Sequence, residues 1–255
     1  MQHIKTPIIP SDQTFVKLKD QPHELDFKAI CIFTALGFFL DTDTYWKDEK
    51  VLAPASIHTI DDEGFLISSK PWFEWYYKPK NINLEEATDQ FEKLFENIVD
   101  KQSKNKRNIV PLSGGLDSRT QAVALYKLNA KVSCYSYSFD RGYRESSISK
   151  KLAKVADFPF YEFTIPSGYL WKNIEALAEI NQCYSEFTHP RQMAIIDKVA
   201  DLGDCFSLGH WGDVLFDSED YTENLTDREL LAPLKKKLLK KGGLELPIHY
   251  GKTGT

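Results

Sequence analysis

The chain has 255 residues, enough for a sizeable core and one or two domains. It is 42% hydrophobic and 27% charged, with a formal net charge of -5, which excludes any global attraction to nucleic acid or an anionic membrane. The apolar run Ala29–Leu40 is too short to span a bilayer, and the N-terminus lacks the charged and apolar regions of a secretory signal. Four cysteines (Cys31, Cys134, Cys183, Cys205) lie far apart with no Cys-x-x-Cys pair, so they read as reduced structural thiols of a cytoplasmic protein. The six histidines show no metal-ligand spacing.

Residues 1 to 82 are rich in proline, aromatic and β-favouring residues. Thr14–Lys19 alternates as a strand does. Ser56–Ile60 and Phe65–Ser68 flank Asp61-Asp62-Glu63-Gly64, a hairpin signal. Leu84–Asp100 carries Leu84, Ala87, Phe91, Leu94, Phe95 and Ile98 at helical spacing, and the polar Lys101–Asn108 connector follows. The domain boundary is therefore set at 82/83, with a second domain over 83–255. From there strands and helices alternate. Strands are predicted at Ile109–Leu112, Lys131–Phe139, Pro159–Ile165 and Cys205–Leu208. Helices are predicted at Thr120–Leu128, Ser146–Asp157, Leu170–Ile180, Arg191–Leu202 and Asp227–Lys241. Such alternation implies an α/β fold, a parallel twisted sheet with flanking helices, behind a small β-rich N-terminal segment. In the common winding the fourth strand lies beside the first, and the loops after them face one crevice.

The first of those loops is Ser113-Gly114-Gly115-Leu116-Asp117-Ser118. Strand, glycine-rich turn and helix bring backbone N–H groups and a helix N-terminus against a phosphate. Two adjacent glycines let the main chain approach an anion, and two serine hydroxyls add donors. No lysine is placed for a Walker A loop, and the glycine spacing fits neither a dinucleotide fingerprint nor a nucleophile elbow. The pattern SGGxDS that remains resembles the PP-loop of the ATP pyrophosphatase superfamily, which cleaves ATP between its α and β phosphates. The plainer alternative is an ordinary tight βα turn. Asp117 beside a pyrophosphate calls for an intervening cation, with Mg²⁺ the natural choice, or it caps the following helix, or both.

The second loop, Leu208-Gly209-His210-Trp211-Gly212-Asp213-Val214-Leu215-Phe216, has two glycines and a carboxylate. Paired with the first, it resembles the synthetase domain of asparagine synthetases, where Leu-Ser-Gly-Glu-Gly-Ala-Asp-Glu-Leu-Phe follows SGGLDS; Gly209, Asp213, Leu215 and Phe216 match. The Asp140 to Ala156 segment, with Glu145 and Ala153-Lys154-Val155-Ala156, resembles the helix between the two loops. Ala35-Leu36-Gly37-Phe38-Phe39-Leu40 through Tyr45, then Leu52-Ala53-Pro54-Ala55-Ser56, resembles the end of that family's glutamine-hydrolysing domain.

The resemblance implies an AMP-forming amide ligase that uses ATP and Mg²⁺. A substrate carboxylate is adenylated, and an amine or ammonia displaces AMP. Leu112, Phe139, Leu208 and Gly209 would line the adenine and ribose side. Ser113, Gly114, Gly115, Leu116, Asp117 and Ser118 would hold the phosphates. Asp117 and Asp213 would hold Mg²⁺, with His210 and Asp213 catalytic. The partners implied are a small carboxylate, an amine or ammonia, and a protein that supplies ammonia or complements the chain; neither nucleic acid nor membrane is expected.

The sequence also departs from the family. An N-terminal cysteine is the glutaminase nucleophile there, whereas this chain begins Met1-Gln2-His3 and its first cysteine, Cys31, sits in an apolar strand-like run as a core residue. Glutamine hydrolysis is therefore not expected. His210 and Val214 stand where the family has glutamates. Arg119 stands where many members have serine, either to bind a substrate carboxylate or as a solvated helix residue. About 40 residues follow Asp213, far fewer than in the family, so a truncated or remodelled member is expected. Two further readings remain open at this stage, a nucleotide-binding remnant without catalysis and a tRNA-modifying PP-loop enzyme. The latter should carry a basic patch or a Cys-x-x-Cys sulfur site.

Overall fold

A computed structural model describes residues 14–76, 78–142, 146–182, 184, 191–209 and 226–243. The chain divides into two compact units. One comprises Met1–Lys78, Asn181–Glu186 and Thr222–Thr255, the other Pro79–Ile180 and Phe187–Tyr221.

In the first unit, β1 (Phe15–Lys17) pairs antiparallel with β2 (Glu49–Val51), and β3 (Ser56–Ile60) with β4 (Leu66–Pro71). The hairpin turn is the one the Asp61–Gly64 sequence announces. The Asp61 carboxylate accepts the Glu63 and Phe65 N–H groups at 3.1 and 2.8 Å. The apolar run beginning at Ala29 is a helix, α1 (Phe27–Leu36), so the strand-like reading around Cys31 is corrected. Its boundary signals outweigh its β-favouring composition. The Asp26 side chain caps the Ala29 N–H, and Gly37 ends the helix at φ 86, a left-handed conformation that suits glycine. Phe33, Phe39 and Tyr45 pack their rings together below it, with Tyr184 against Phe39. The helix α7 (Asp227–Leu238) opens with a Thr226–Glu229 capping box, and Lys235, Lys236, Lys237, Lys240 and Lys241 are exposed.

The second unit is α/β, as the alternating pattern predicts. It opens with α2 (Leu84–Ser103), capped by the Asn83 side chain, and continues β5 (Arg107–Pro111), α3 (Leu116–Lys127), β6 (Lys131–Phe139), α4 (Ser146–Val155), β7 (Phe160–Ile165), α5 (Tyr169–Asn181), a 3-10 turn (Arg191–Ile195), α6 (Ile196–Ala200) and β8 (Cys205–Phe206). The strand order is β7-β6-β5-β8, all parallel, with β8 beside β5 as the common winding requires. Alternation along the strands sorts two cores. Val110 and Leu112 on β5 and its end join Val132 and Cys134 of β6 on one face, under Val99, Ala122, Ala124, Leu125 and Ala153 of the helices. Ile109 and Tyr135 point to the other face and meet Ile165, Ile195 and Val199. The segment predicted as one helix over Arg191–Leu202 is a 3-10 turn followed by a short α-helix.

The start of β8 is pinned by close approach. The Arg107 guanidinium grips the Asp204 carboxylate with two N–H donors at 3.1 and 2.7 Å. Gly203 lies so near the Arg107 carbonyl that no β-carbon would fit. The Asn108 side chain, fully buried, donates to the carbonyls of Ser103, Lys106 and Lys131 and fastens the N-terminal ends of β5 and β6.

Candidate active site

The strand order reverses at β5. Successive strands run outward from it to β6 and β7, and the chain then returns to β8 on its other side. Loops at the carboxyl ends of strands flanking such a switch point form a crevice. Here that crevice is a cavity of about 540 Å³ lined by the end of β5, the glycine loop, the last half of β6, the 3-10 turn and Gly209.

The glycine loop is held from within. The Ser113 N–H donates to Ser118 Oγ at 3.1 Å, the two serine hydroxyls lie 3.0 Å apart, and the Gly115 N–H donates to Ser113 Oγ at 3.1 Å. Each serine thus spans the turn as well as offering a hydroxyl. Gly115 is the N-cap residue of α3, and among the described residues no side chain caps that helix end. Asp117 falls in the first turn, so the capping role considered for it is corrected. An uncapped first turn leaves N–H groups and the positive end of the helix macrodipole directed at the crevice. The helix also starts at Leu116, earlier than the apolar periodicity beginning at Thr120.

Leu112, Ser113, Gly115, Asp117, Ser118, Phe139 and Gly209 are brought together on the lining. Leu112 is buried, whereas Asp117 is exposed. Gly114 and Leu208 fall off the lining, and Leu116 turns outward with 72% exposure. His210 and Asp213 lie outside the described residues, as do Glu145 and most of the second loop. Gly209 is the part of that loop that meets the first. It packs on the Asp117–Ser118 backbone so closely that a β-carbon would sit 2.7 Å from the Asp117 carbonyl carbon.

Several lining residues escaped the sequence reading. Tyr135, Ser136, Tyr137 and Ser138 of β6 supply one wall, and Arg191 and Gln192 another. The Arg191 guanidinium lies over the Phe139 ring, 5.4 Å from its centre. Tyr135 is fully buried, and burial pushes its phenol up to about 12, with Tyr137 adding to the shift and Gln192 opposing it. The polar residues on alternate positions of a central strand were a usable signal, since they lie on a strand whose carboxyl end faces the loop. Arg191 carried no comparable signal, because only the folded chain brings it to Phe139.

Mg²⁺ fits this donor set in a limited way. Among the described residues no group of three or more acidic, histidine or cysteine side chains gathers for a metal, and Asp117 is the carboxylate on the crevice wall. One or two carboxylates with phosphate oxygens is the usual setting for this ion, so Asp117 suits a Mg²⁺ carried in with a nucleotide.

A parallel α/β sheet with a glycine-rich loop at its switch point is the class defined by fold and site. Within it, residues 90–196 match the family model described as Asparagine synthase, so the resemblance read from the sequence is borne out over that span. The match covers less than half of the chain and stops before Leu208. Among solved structures, a predicted subunit of tRNA methyltransferase from Methanocaldococcus jannaschii aligns at 21% identity and TM-score 0.28, over 51% of this chain and 63% of its own. Glutamine-dependent NAD+ synthetase from Acinetobacter baumannii aligns at 15% identity and TM-score 0.36, over 68% of this chain and 32% of its own. NMN synthetase from Francisella tularensis aligns at 12% identity and TM-score 0.33, over 68% of this chain and 95% of its own. This chain therefore spans less than two thirds of the first two. No curated protein matches it.

Proposed function

We propose that the second unit binds ATP and uses it to adenylate a substrate carboxylate, releasing pyrophosphate, before an amine or ammonia takes the acyl group. The observation that carries this reading is the uncapped start of α3 behind Ser113-Gly114-Gly115, opening on a crevice floored by Leu112 and closed by Gly209. The match of residues 90–196 to the asparagine synthase model supports the reaction class.

In this reading the glycine loop takes the β and γ phosphates. Leu112, Phe139 and Gly209 take the adenine and ribose side. Asp117, with Asp213 of the second loop, would hold Mg²⁺, which neutralises phosphate charge when bound. A carboxylate oxygen attacks the α phosphorus and the bond to the β-phosphate oxygen breaks. The amine nitrogen then forms the amide as AMP leaves, and its proton passes to a base, for which His210 is the candidate. The chain's own contribution is positioning and charge complementarity, with N–H donors that need no reorganisation during reaction. Glutamine hydrolysis forms no part of the proposal; ammonia comes free or from a partner protein.

The test is product analysis with Mg²⁺-ATP, aspartate or a panel of other carboxylates, and ammonium. AMP and pyrophosphate, released only with one of the carboxylates, are expected. ADP and phosphate, or no nucleotide binding at all, overturn the reading.

A further inference from the structure

Arg119 neither lines the crevice nor lies free on its helix. Its Nη2 donates to the Gly114 carbonyl at 2.9 Å, and its Nε is buried with no hydrogen-bond partner among the described residues. The side chain is partly buried and lines an apolar cavity of about 170 Å³ between α3 and α4, with Ala122, Val123, Leu152 and Val155. Leu112 separates this cavity from the crevice and lines both, whereas Arg119 lines only the apolar one.

We infer that Arg119 is a positioning residue that holds the Gly114–Gly115 peptide group with its carbonyl turned away from the phosphates. This rests on the nucleotide reading above. The carbonyl of Gly114 and the N–H of Gly115 belong to one planar trans unit, so they point in opposite directions. Drawing the carbonyl toward Arg119 turns the Gly115 N–H toward Ser113 Oγ, on the crevice side. Glycine on both sides leaves this peptide little steric resistance to rotation, so the sequence that permits close approach to an anion also permits the wrong orientation. A rotated peptide would present a carbonyl dipole to a polyanion. Gly114 is backed by Ile148, 3.4 Å from where its β-carbon would stand, an apolar neighbour with no donor to offer. The guanidinium thus holds the carbonyl end of this peptide while Ser113 Oγ holds its N–H end, and burying an Nε that gains no partner among the described residues is a cost accepted in keeping it there.

The test compares Arg119→Met, Arg119→Gln and Arg119→Lys in the full chain, measuring calorimetric binding of inorganic pyrophosphate and of Mg²⁺-ATP beside thermal unfolding. Losing a hydrogen bond from a charged donor predicts about ten- to a hundredfold weaker binding for Met and Gln, which cannot serve the carbonyl from that distance. Lys restores most of it, and the unfolding midpoints stay close together. The deficit should persist at about 0.5 M salt, where a charge acting through solvent alone is screened. Wild-type binding by the Met or Gln variant, or a deficit that vanishes in salt, overturns the positioning role while leaving the nucleotide reading intact. A wild-type chain that binds neither pyrophosphate nor ATP overturns both. Should Met fail to fold, the Gln and Lys pair decides alone.

Discussion

A β-carbon on Gly209 would lie 2.7 Å from the Asp117 carbonyl carbon and 2.9 Å from the Ser118 nitrogen. Both neighbours are backbone at the first turn of α3, so neither can swing aside as a flexible side chain would. Gly209→Ala should therefore move the second loop off the first, costing about 1–3 kcal/mol as overpacking does and weakening Mg²⁺-ATP binding together with stability. Urea unfolding and calorimetry measure the two effects. An unchanged midpoint would mean that the loop yields freely and that Gly209 holds nothing in place. That the two glycine-containing loops face one crevice was legible in the sequence, because alternating strands and helices put them at the ends of neighbouring parallel strands. The places that Asp117 and Arg119 take in the first turn of α3 were not. Whether an aspartate caps a helix depends on which residue takes the N-cap position, and here Gly115 does. Where an arginine reaches depends on the acceptor that tertiary packing presents, and here that is the Gly114 carbonyl.

At the scale of elements, the parallel sheet followed from alternation of strands and helices, and Lys131–Phe139 has the same bounds in both readings. The helices resisted at their ends. The first turn of α3 is Leu116-Asp117-Ser118-Arg119, which has no apolar stripe, so periodicity detects the helix only after it has begun. In α1 the ten residues Phe27–Leu36 are apolar nearly throughout, a pattern that separates strand from helix poorly, and the decision lay in Asp26 and Gly37. What holds α3 against the sheet is concentrated at Leu125, which has no exposed surface and packs in the core with Val110, Leu112 and Cys134. Leu125→Ala should cost about 2–5 kcal/mol, the range for opening a cavity in a packed core. Because α3 also carries the uncapped N-terminus, the same variant should loosen pyrophosphate binding when the helix shifts. Denaturant unfolding gives the first quantity. A loss below about 1 kcal/mol would show that neighbouring side chains collapse into the space.

For the molecule as a whole, the buried thiol and phenol of β6 set an alkaline limit. Cys134 and Tyr135 are adjacent, have no exposed surface and point to opposite faces of the sheet. Burial pushes the Cys134 thiol from 9.0 up to about 12 and is the main cause of raising the Tyr135 phenol from 10.0 to about 12. Both groups stay protonated in the folded chain while the unfolded chain ionises. Their contribution is fully present below pH 9.0 and is lost progressively as pH rises toward about 12. Each group removes up to about 1.4 kcal/mol per pH unit within its window. Lys127, raised chiefly by hydrogen bonds to Glu92 and Glu96, and Tyr184, raised by burial, act in the same direction, so a fall in stability alone would not identify its source. The comparison with Cys134→Ala does. Under reducing conditions, the wild-type urea midpoint should begin to fall above about pH 9, while that of the variant should start lower but stay level until about pH 10. Parallel curves for the two proteins would mean that Cys134 ionises as readily in the folded chain as in the unfolded one, and that the core around β6 admits water.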